Sequence, residues 1–238
     1  LMEIHDAIKR LDPYRLIFIN WAYDGVPTMI GQEPRGTLHS TDVYSSDYYP
    51  FTGQGHNLEG FTSTSVRALS TARIRKRLSH SWIQLYGSMD AWREPTGDEL
   101  NYMAYLNLIY GGYISYWDTK SNSKDTWARL ASVNREVKHL SEELFFNPEA
   151  RELLPPTTIS NFFFSAWKQG QRIFLIVAHN GNETETFTYE AAPLVINRTL
   201  HAKNYFGTEE IPVVNGHIQD VFRPFECKVY VLDGAPAL

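Results

Sequence analysis

Three carboxylates stand among aromatic side chains in the first half of this sequence: Asp42, Asp47 and Glu94, with Trp21, Tyr44, Tyr48, Tyr49, Tyr86, Trp92 and Trp117 around them. Carboxyl groups serve as general acids, general bases and nucleophiles. Rings beside them would suit a sugar, whose apolar C–H faces stack on aromatics while its hydroxyls take polar partners. The same rings could be ordinary core and rim packing, since aromatics make up 14% of the chain. Asp47 could equally close a turn in Ser45-Ser46-Asp47, and Asp42 could be structural. Glu94 precedes Pro95 and could pair with Arg93 or Arg35. The eight histidines show no paired ligand spacing, and no Gly-rich phosphate loop is present, so neither a metal nor another cofactor is expected. Cys227 is the single cysteine; a disulfide framework is excluded, and a buried thiol within a strand is expected.

These groups need elements to place them, and the clearest lie between Ser79 and Lys120. Trp82, Gln84 and Tyr86 alternate with Ile83 and Leu85, the period of a strand. Thr96 and Glu99 have capping-box spacing, and Leu100, Met103, Ala104 and Leu108 fall on one helical face. Gly111-Gly112 ends that helix, and Tyr113 to Asp118 starts another strand. The unit is βαβ, which implies parallel strands in a covered sheet.

The rest of the first half repeats this style. Leu1, Ile4, Ile8 and Leu11 form a helical stripe stopped at Asp12-Pro13. Strands are expected near 15–20, 41–47, 81–86 and 113–118, parallel neighbours in that order, with a helix over 58–78. Trp127, Leu130, Val137, Leu140 and Leu144 mark a long amphipathic helix, with Trp127 and Trp167 expected in the core. After Pro155-Pro156 the pattern becomes all-β, with hairpin-turn chemistry at 168–171 and 179–182. A chain of 238 residues with 43% hydrophobic content supports a real core. The net charge of −5 gives no basic field for nucleic acid, and the run Arg73 to Arg77 reads as a solvated helix face. The longest apolar run, residues 173–178, is too short to span a bilayer. The start at Leu1, inside a helical pattern, suggests a fragment or a processed product.

Several stretches resemble clan A glycoside hydrolases. Asp12-Pro13 resembles a helix-to-strand entry, and Asp42-Val43-Tyr44-Ser45-Ser46-Asp47-Tyr48-Tyr49-Pro50 resembles a sixth-strand segment. Trp82 to Gly87, Trp92 to Thr96, Glu99-Leu100, Met103 to Tyr105 and Gly111 to Trp117 resemble strand 7, helix 7 and strand 8. Phe222 to Val231 is similar to the last strand of the β-domain that often follows such barrels. The resemblance implies the C-terminal half of a (β/α)8 TIM barrel, strands 5–8, over residues 1–154, and a small antiparallel β-sandwich over 155–238.

It also implies hydrolysis of O-glycosidic bonds of an oligo- or polysaccharide. Retaining enzymes use two carboxyl groups about 5–5.5 Å apart, at the ends of strands 4 and 7. Strand 4 would precede Leu1, and the strand 7 slot holds Gln84, which cannot act as a nucleophile. Asp47 and Glu94 become the catalytic candidates; Trp21, Asp42, Tyr44, Tyr49, Gln84, Tyr86, Trp92 and Trp117 are the substrate-binding candidates. The site would be completed by an upstream half-barrel or by a second copy of this chain. The alternative is a catalytically inactive carbohydrate-binding or structural glycoprotein. Sequons at Asn182 and Asn197 favour a secreted or lumenal protein.

Overall fold

The computed structural model describes residues 2–22, 41–52, 55–87, 92–117, 123–191 and 201–233. They belong to two compact units: Leu1–Pro95 with Tyr110–Asn122, and Thr96–Ile109 with Ser123–Leu238.

In the first unit, helix α1 (Met2–Leu11) leads to strand β1 (Phe18–Ala22). Strands β2 (Val43–Asp47), β5 (Leu78–Gln84) and β6 (Tyr113–Trp117) follow, and the sheet order is β1-β2-β5-β6. Every neighbouring pair is parallel, as the alternation pattern requires. A two-residue-per-strand hairpin, β3 (Phe51–Thr52) and β4 (Gly55–His56), precedes helix α2 (Leu58–Ile74). Asn57 caps α2 by accepting the Gly60 N–H at 2.8 Å, and Phe61, Ala68, Leu69 and Ala72 form part of its buried side. This helix packs on β2 and β5.

The basic run Arg73 to Arg77 is not a solvated helix face. Lys76 takes a left-handed conformation (φ 54°), and the Arg77 N–H returns to the Ala72 carbonyl at 2.9 Å, so the run is a helix stop. Arg77 then reaches Asp42 at 3.6 Å. The apolar stripe of α1 is partly open to solvent, with Ile4 and Leu11 exposed.

Register assigns the two faces of the parallel sheet, because paired residues share a face. Tyr44, Ser46, Ser79, Ser81 and Ile83 lie on one. Asn20, Ser45, Asp47, His80, Trp82, Gln84, Ser115 and Trp117 lie on the other. This second face also carries Phe18, Leu78, Tyr113 and Trp117, which are 40–47% exposed.

In the second unit, helix α3 (Gly97–Ile109) is buried on all sides from Glu99 to Ile109, not along one stripe. It packs on α4 (Lys124–Leu140) and on the central strands of a six-stranded sheet. The expected capping box is present: the Thr96 N–H donates to Glu99 Oε2 at 2.8 Å, and the Glu99 N–H to Thr96 Oγ1 at 3.3 Å. Ser123 caps α4, which continues into a π-helical turn, Ser141–Phe145. Trp127 is 41% exposed, against the core position expected for it, while Trp167 packs edge-on against Phe145.

The six-stranded sheet has the order β12-β11-β14-β9-β8-β7. Its strands are β7 (Ala150–Ile159), β8 (Phe162–Gln169), β9 (Arg172–His179), β11 (His201–Asn204), β12 (Glu210–Pro212) and β14 (Cys227–Asp233). Pro155-Pro156 lie inside β7, an edge strand whose register shifts between Leu154 and Thr157, where proline is tolerated. The boundary expected at 154/155 therefore falls within a strand. The turn at Gly170 (φ 60°) joins β8 and β9 as a hairpin. The turn at 179–182 does not: β10 (Glu185–Glu190) leaves β9 and pairs with β13 (His217–Phe222) in a separate two-stranded sheet. Phe162, Phe164, Leu175 and Val177 of the large sheet and Phe187, Ile218 and Phe222 of the small one share a buried core.

An ion pair links β13 and β14 beside that core. The Lys228 ammonium donates to Asp220 Oδ2 at 2.7 Å and to the Val221 carbonyl at 2.9 Å, and lies 4.7 Å from the Phe222 ring centre. The Tyr230 hydroxyl donates to the same Asp220 oxygen at 2.6 Å. Removing one partner of a buried pair costs roughly 3–5 kcal/mol where the other charge is left uncompensated, and Glu226, 3.9 Å from the Lys228 ammonium, holds the loss here to the lower end. Asp220→Ala is expected to destabilise this unit by about 3 kcal/mol, read as a lower urea midpoint, while an unchanged midpoint would show that solvent already compensates Lys228.

Candidate functional site

The site lies where β2, β5 and β6 end. Asp47 closes β2, Gln84 closes β5 and Trp117 closes β6. Parallel strands bring these carboxyl ends together, the position where such sheets place their sites.

Gln84 is fully buried, and its amide joins two loops. Its Oε1 accepts the Phe51 N–H at 3.0 Å. Its Nε2 hydrogens are shared among the carbonyls of Phe51 (3.1 Å), Tyr86 (3.1 Å) and Arg93 (2.9 Å). The same loops meet through the Arg93 N–H to the Phe51 carbonyl at 3.1 Å, a bridge between Thr52 and Trp92, and the Arg93 guanidinium 4.4 Å from the Phe51 ring centre. Gly87 permits the close return of the chain, since a Cβ there would stand 2.6 Å from the Glu94 nitrogen. The substrate-binding place expected for Gln84 is thus a strut beneath the site.

The strut presents a set of rings. Tyr49 stands in the middle, with ring centres 6.1 Å from Tyr86, 6.4 Å from Trp92 and 6.2 Å from Trp117. Tyr86 meets Trp92 at 5.7 Å, and Trp82 meets Trp117 at 6.0 Å. The Tyr49 hydroxyl donates to Asp47 Oδ2 at 3.4 Å. Burial, then the Asp47 charge, pushes the Tyr49 phenol well above its ordinary range, so it stays a donor.

Below the rings runs a polar chain that sequence reasoning missed. Ser45 Oγ donates to Asn20 Oδ1 at 2.8 Å and meets His80 Nδ1 at 3.0 Å, while His80 Nε2 meets Ser115 Oγ at 2.9 Å. Since the Ser45 hydrogen goes to Asn20, Nδ1 must be the protonated nitrogen and Nε2 the acceptor from Ser115. His80 also lies 5.2 Å from Trp82, edge-on. The available signal was alternation: His80 shares its face with Trp82 and Gln84.

The structure brings together Asp47, Tyr49, Tyr86, Trp92 and Trp117 of the expected residues, and holds Glu94 in the adjoining loop. Asp42 is elsewhere. It precedes β2 at the opposite end, about 16 Å from Asp47 at ~3.3 Å per residue. There it is bound by Lys9 at 2.7 Å, Arg77 at 3.6 Å and the Ile17 N–H at 2.8 Å. Burial opposes its ionisation, but Lys9 and the Ile17 N–H outweigh it and hold the carboxyl below its usual value. Tyr44 is buried on the opposite sheet face from Asp47, and Tyr48 packs against Phe61 of α2. Trp21 pairs in register with Ser46; its side chain, Asp118 and Asn197 lie outside the described residues. Among the described residues no cluster of three or more His, Cys, Asp or Glu could hold a metal.

No family model matches this sequence, and no curated protein matches it. Solved structures do. A candidate alpha-galactosidase from Bacteroides fragilis aligns over 99% of this chain with a TM-score of 0.57 at 10% identity. AmyP in complex with maltose aligns over 84% with a TM-score of 0.54 at 8% identity, and an AmyP variant in complex with maltotriose over 99% with 0.52 at 9%. The fold is glycosidase-like. The chain spans about half of these proteins' own length, 51%, 52% and 62% respectively. At such identities the likeness concerns the fold alone.

Two outcomes follow from the strut and the polar chain. A Glu at position 84 would face the Phe51, Tyr86 and Arg93 carbonyls with no hydrogen to offer, and each unpaired buried group costs roughly 1–3 kcal/mol. Gln84→Glu is expected to lower the unfolding midpoint and to speed amide exchange at Phe51 and Arg93, and slow exchange there would refute the strut. Burial lowers the His80 pKa from 6.5 to about 4. The folded state therefore prefers neutral His80, while the unfolded chain takes a proton near 6.5. This contribution is whole above pH 6.5 and declines as pH falls towards 4. Urea midpoints should drop across that window in the wild type and less in His80→Asn; equal slopes would count against it.

Proposed function

We propose that this chain is the C-terminal half of a (β/α)8 glycoside hydrolase barrel, strands 5–8, followed by a small β-sandwich, and that it acts on O-glycosidic bonds of an oligo- or polysaccharide. The observation that carries this reading is the Asp47 carboxylate hydrogen-bonded to Tyr49, whose ring meets Tyr86, Trp92 and Trp117, at the carboxyl ends of parallel strands. Rings stack on the apolar faces of pyranoses and exclude water. Asp47 is the candidate base or nucleophile, with Tyr49 as the donor that serves it in anionic form. Glu94 is the second carboxyl candidate, and an upstream half-barrel or a second copy of the chain supplies the rest of the site. The apolar groups exposed on the site face of the sheet, Phe18, Leu78, Tyr113 and Trp117, support such a cover.

The second reading, a carbohydrate-binding protein without catalysis, has its own observation. The end of β5 carries Gln84, its amide engaged entirely with backbone, where the resemblance puts a carboxylate. For localisation we propose a secreted or lumenal protein. The Asn182 sequon is exposed beyond β9, which suits a glycan. No described helix is long and apolar enough to cross a membrane.

Sugar release from a polysaccharide panel and retention on the same polymers, measured with the natural full-length polypeptide, separate the readings. For the enzyme, Asp47→Asn should cut turnover about 10²–10⁴-fold with retention kept. Trp117→Ala should weaken retention under both readings. Activity untouched by Asp47→Asn would remove Asp47 from catalysis, and full retention by Trp117→Ala would remove the ring site.

A further inference from the structure

A second aromatic platform occurs in the other unit, far from any role in the site above. The β11–β12 turn places Tyr205 and Phe206 side by side, with ring centres 4.9 Å apart. Tyr205 is anchored from beneath by Phe174 at 5.2 Å, and its N–H donates to the Val229 carbonyl at 2.7 Å. Phe206 remains 41% exposed. The turn that presents it is ordered: Asn204 accepts the Phe206 N–H through its side chain at 3.3 Å and the Gly207 N–H through its carbonyl at 3.2 Å. A Cβ at Gly207 would meet the Asn204 side chain at 2.7 Å, so a larger residue there would displace that side chain.

Polar groups border the rings. His139, from the last turn of α4, stacks on Tyr205 (centres 5.6 Å, planes 20° apart), while its Nε2 meets the Tyr205 hydroxyl at 2.7 Å. Its ring lies 6.3 Å from Phe206, edge-on. Glu143 follows on the π-helical turn, 3.9 Å from His139, and pairs with Arg172. A π turn inside a helix costs regular hydrogen-bond geometry and is often found at functional sites. Here it brings Glu143 to Arg172. The His139 and Arg172 side chains are 52% and 39% exposed; His139 borders the Phe206 ring directly, and Glu143 and then Arg172 continue from it as a chain of contacts.

We propose that this surface is a second carbohydrate site, taking a neutral pyranose unit of a polysaccharide. The sugar's C–H face stacks on Phe206, and its vicinal hydroxyls meet Arg172, Glu143 and His139. A pre-ordered exposed ring loses little conformational entropy on binding. The Arg172–Glu143 pairing offsets charge, which favours a neutral sugar over an anionic one. The inference rests on the glycosidase-like reading only for the class of ligand.

The test uses affinity electrophoresis of the natural full-length polypeptide in gels containing starch, galactomannan or xylan. Phe206→Ala alters an exposed side chain and should leave the unfolding midpoint unchanged. Retention on at least one polymer should fall about 5–10-fold in Phe206→Ala, the scale of one aromatic contact. A further loss should appear when Trp117→Ala is added. Unchanged retention in Phe206→Ala with loss in Trp117→Ala would overturn this inference and leave the first site standing. Loss in Phe206→Ala alone would support it and count against the first site. Retention on none of the polymers would overturn it, as would a change in oligomeric mass on Phe206→Ala, which would make the patch a protein interface.

Discussion

The buried amide of Gln84 is the contact on which the candidate site depends. Phe51 opens a strand of only two residues, and the Arg93 stretch joins it by a single bridge, so neither is held there by a long ladder. One side chain supplies both a donor and an acceptor to Phe51 and a donor to Arg93. Hydrogen bonds of this kind add only about 1 kcal/mol each, but leaving the same groups buried and unpaired costs more. The asymmetry pins the loops, and the loops carry Tyr49, Tyr86 and Trp92 into contact. It also explains the residue type. A carboxylate is acceptor-only and could not serve three carbonyls.

The polar chain from Asn20 to Ser115 performs a related task one layer down. Each strand of the parallel sheet contributes one member, and His80 in the middle makes both of its hydrogen bonds to serines. Its depressed pKa has a geometric counterpart. A protonated ring would donate from both nitrogens, so the Ser115 hydroxyl would have to turn from donor to acceptor. Trp82 rests on His80, Trp117 on Trp82 and Tyr49 on Trp117, so the order of the chain is passed upwards by ring contacts to the Asp47 partner.

Much of the parallel sheet was legible because alternation, the Thr96–Glu99 cap and the Gly111 stop are local signals. Residues whose role is set by distant backbone were not. Gln84 stood at a strand end like a ligand residue, yet its partners are backbone groups 33 positions earlier and two and nine positions later. Asp42 and Asp47 both stood as site candidates on one short strand, and register and the strand's direction separate the end held by Lys9 from the end that meets Tyr49. Pro155-Pro156 read as a boundary because proline breaks ladders, but an edge strand with a shifted register has no ladder bond to lose there. The turn at 179–182 had hairpin chemistry, while the apolar faces of Phe187 and Phe222 decided the pairing of β10 by burial against the large sheet.

The two layers on the site face differ in what they leave open. The Asn20, Ser45, His80 and Ser115 chain pairs the Ser45 hydroxyl and both imidazole nitrogens internally, while its Asn20 end is exposed. The residues around it, Phe18, Leu78, Tyr113 and Trp117, remain 40–47% exposed and apolar or amphipathic. Covering them would contribute about 25 cal/mol per Å² of apolar surface, offset where the Tyr113 hydroxyl and the Asn20 amide are desolvated. A cover of this face is therefore driven by burial and has to match polar groups at those two points. The ring cluster is a third, because Asp47 and the Tyr49 hydroxyl keep a polar point within it. Among the described residues of this face, the apolar surface is interrupted there by a carboxylate whose donor partner cannot itself ionise at ordinary pH.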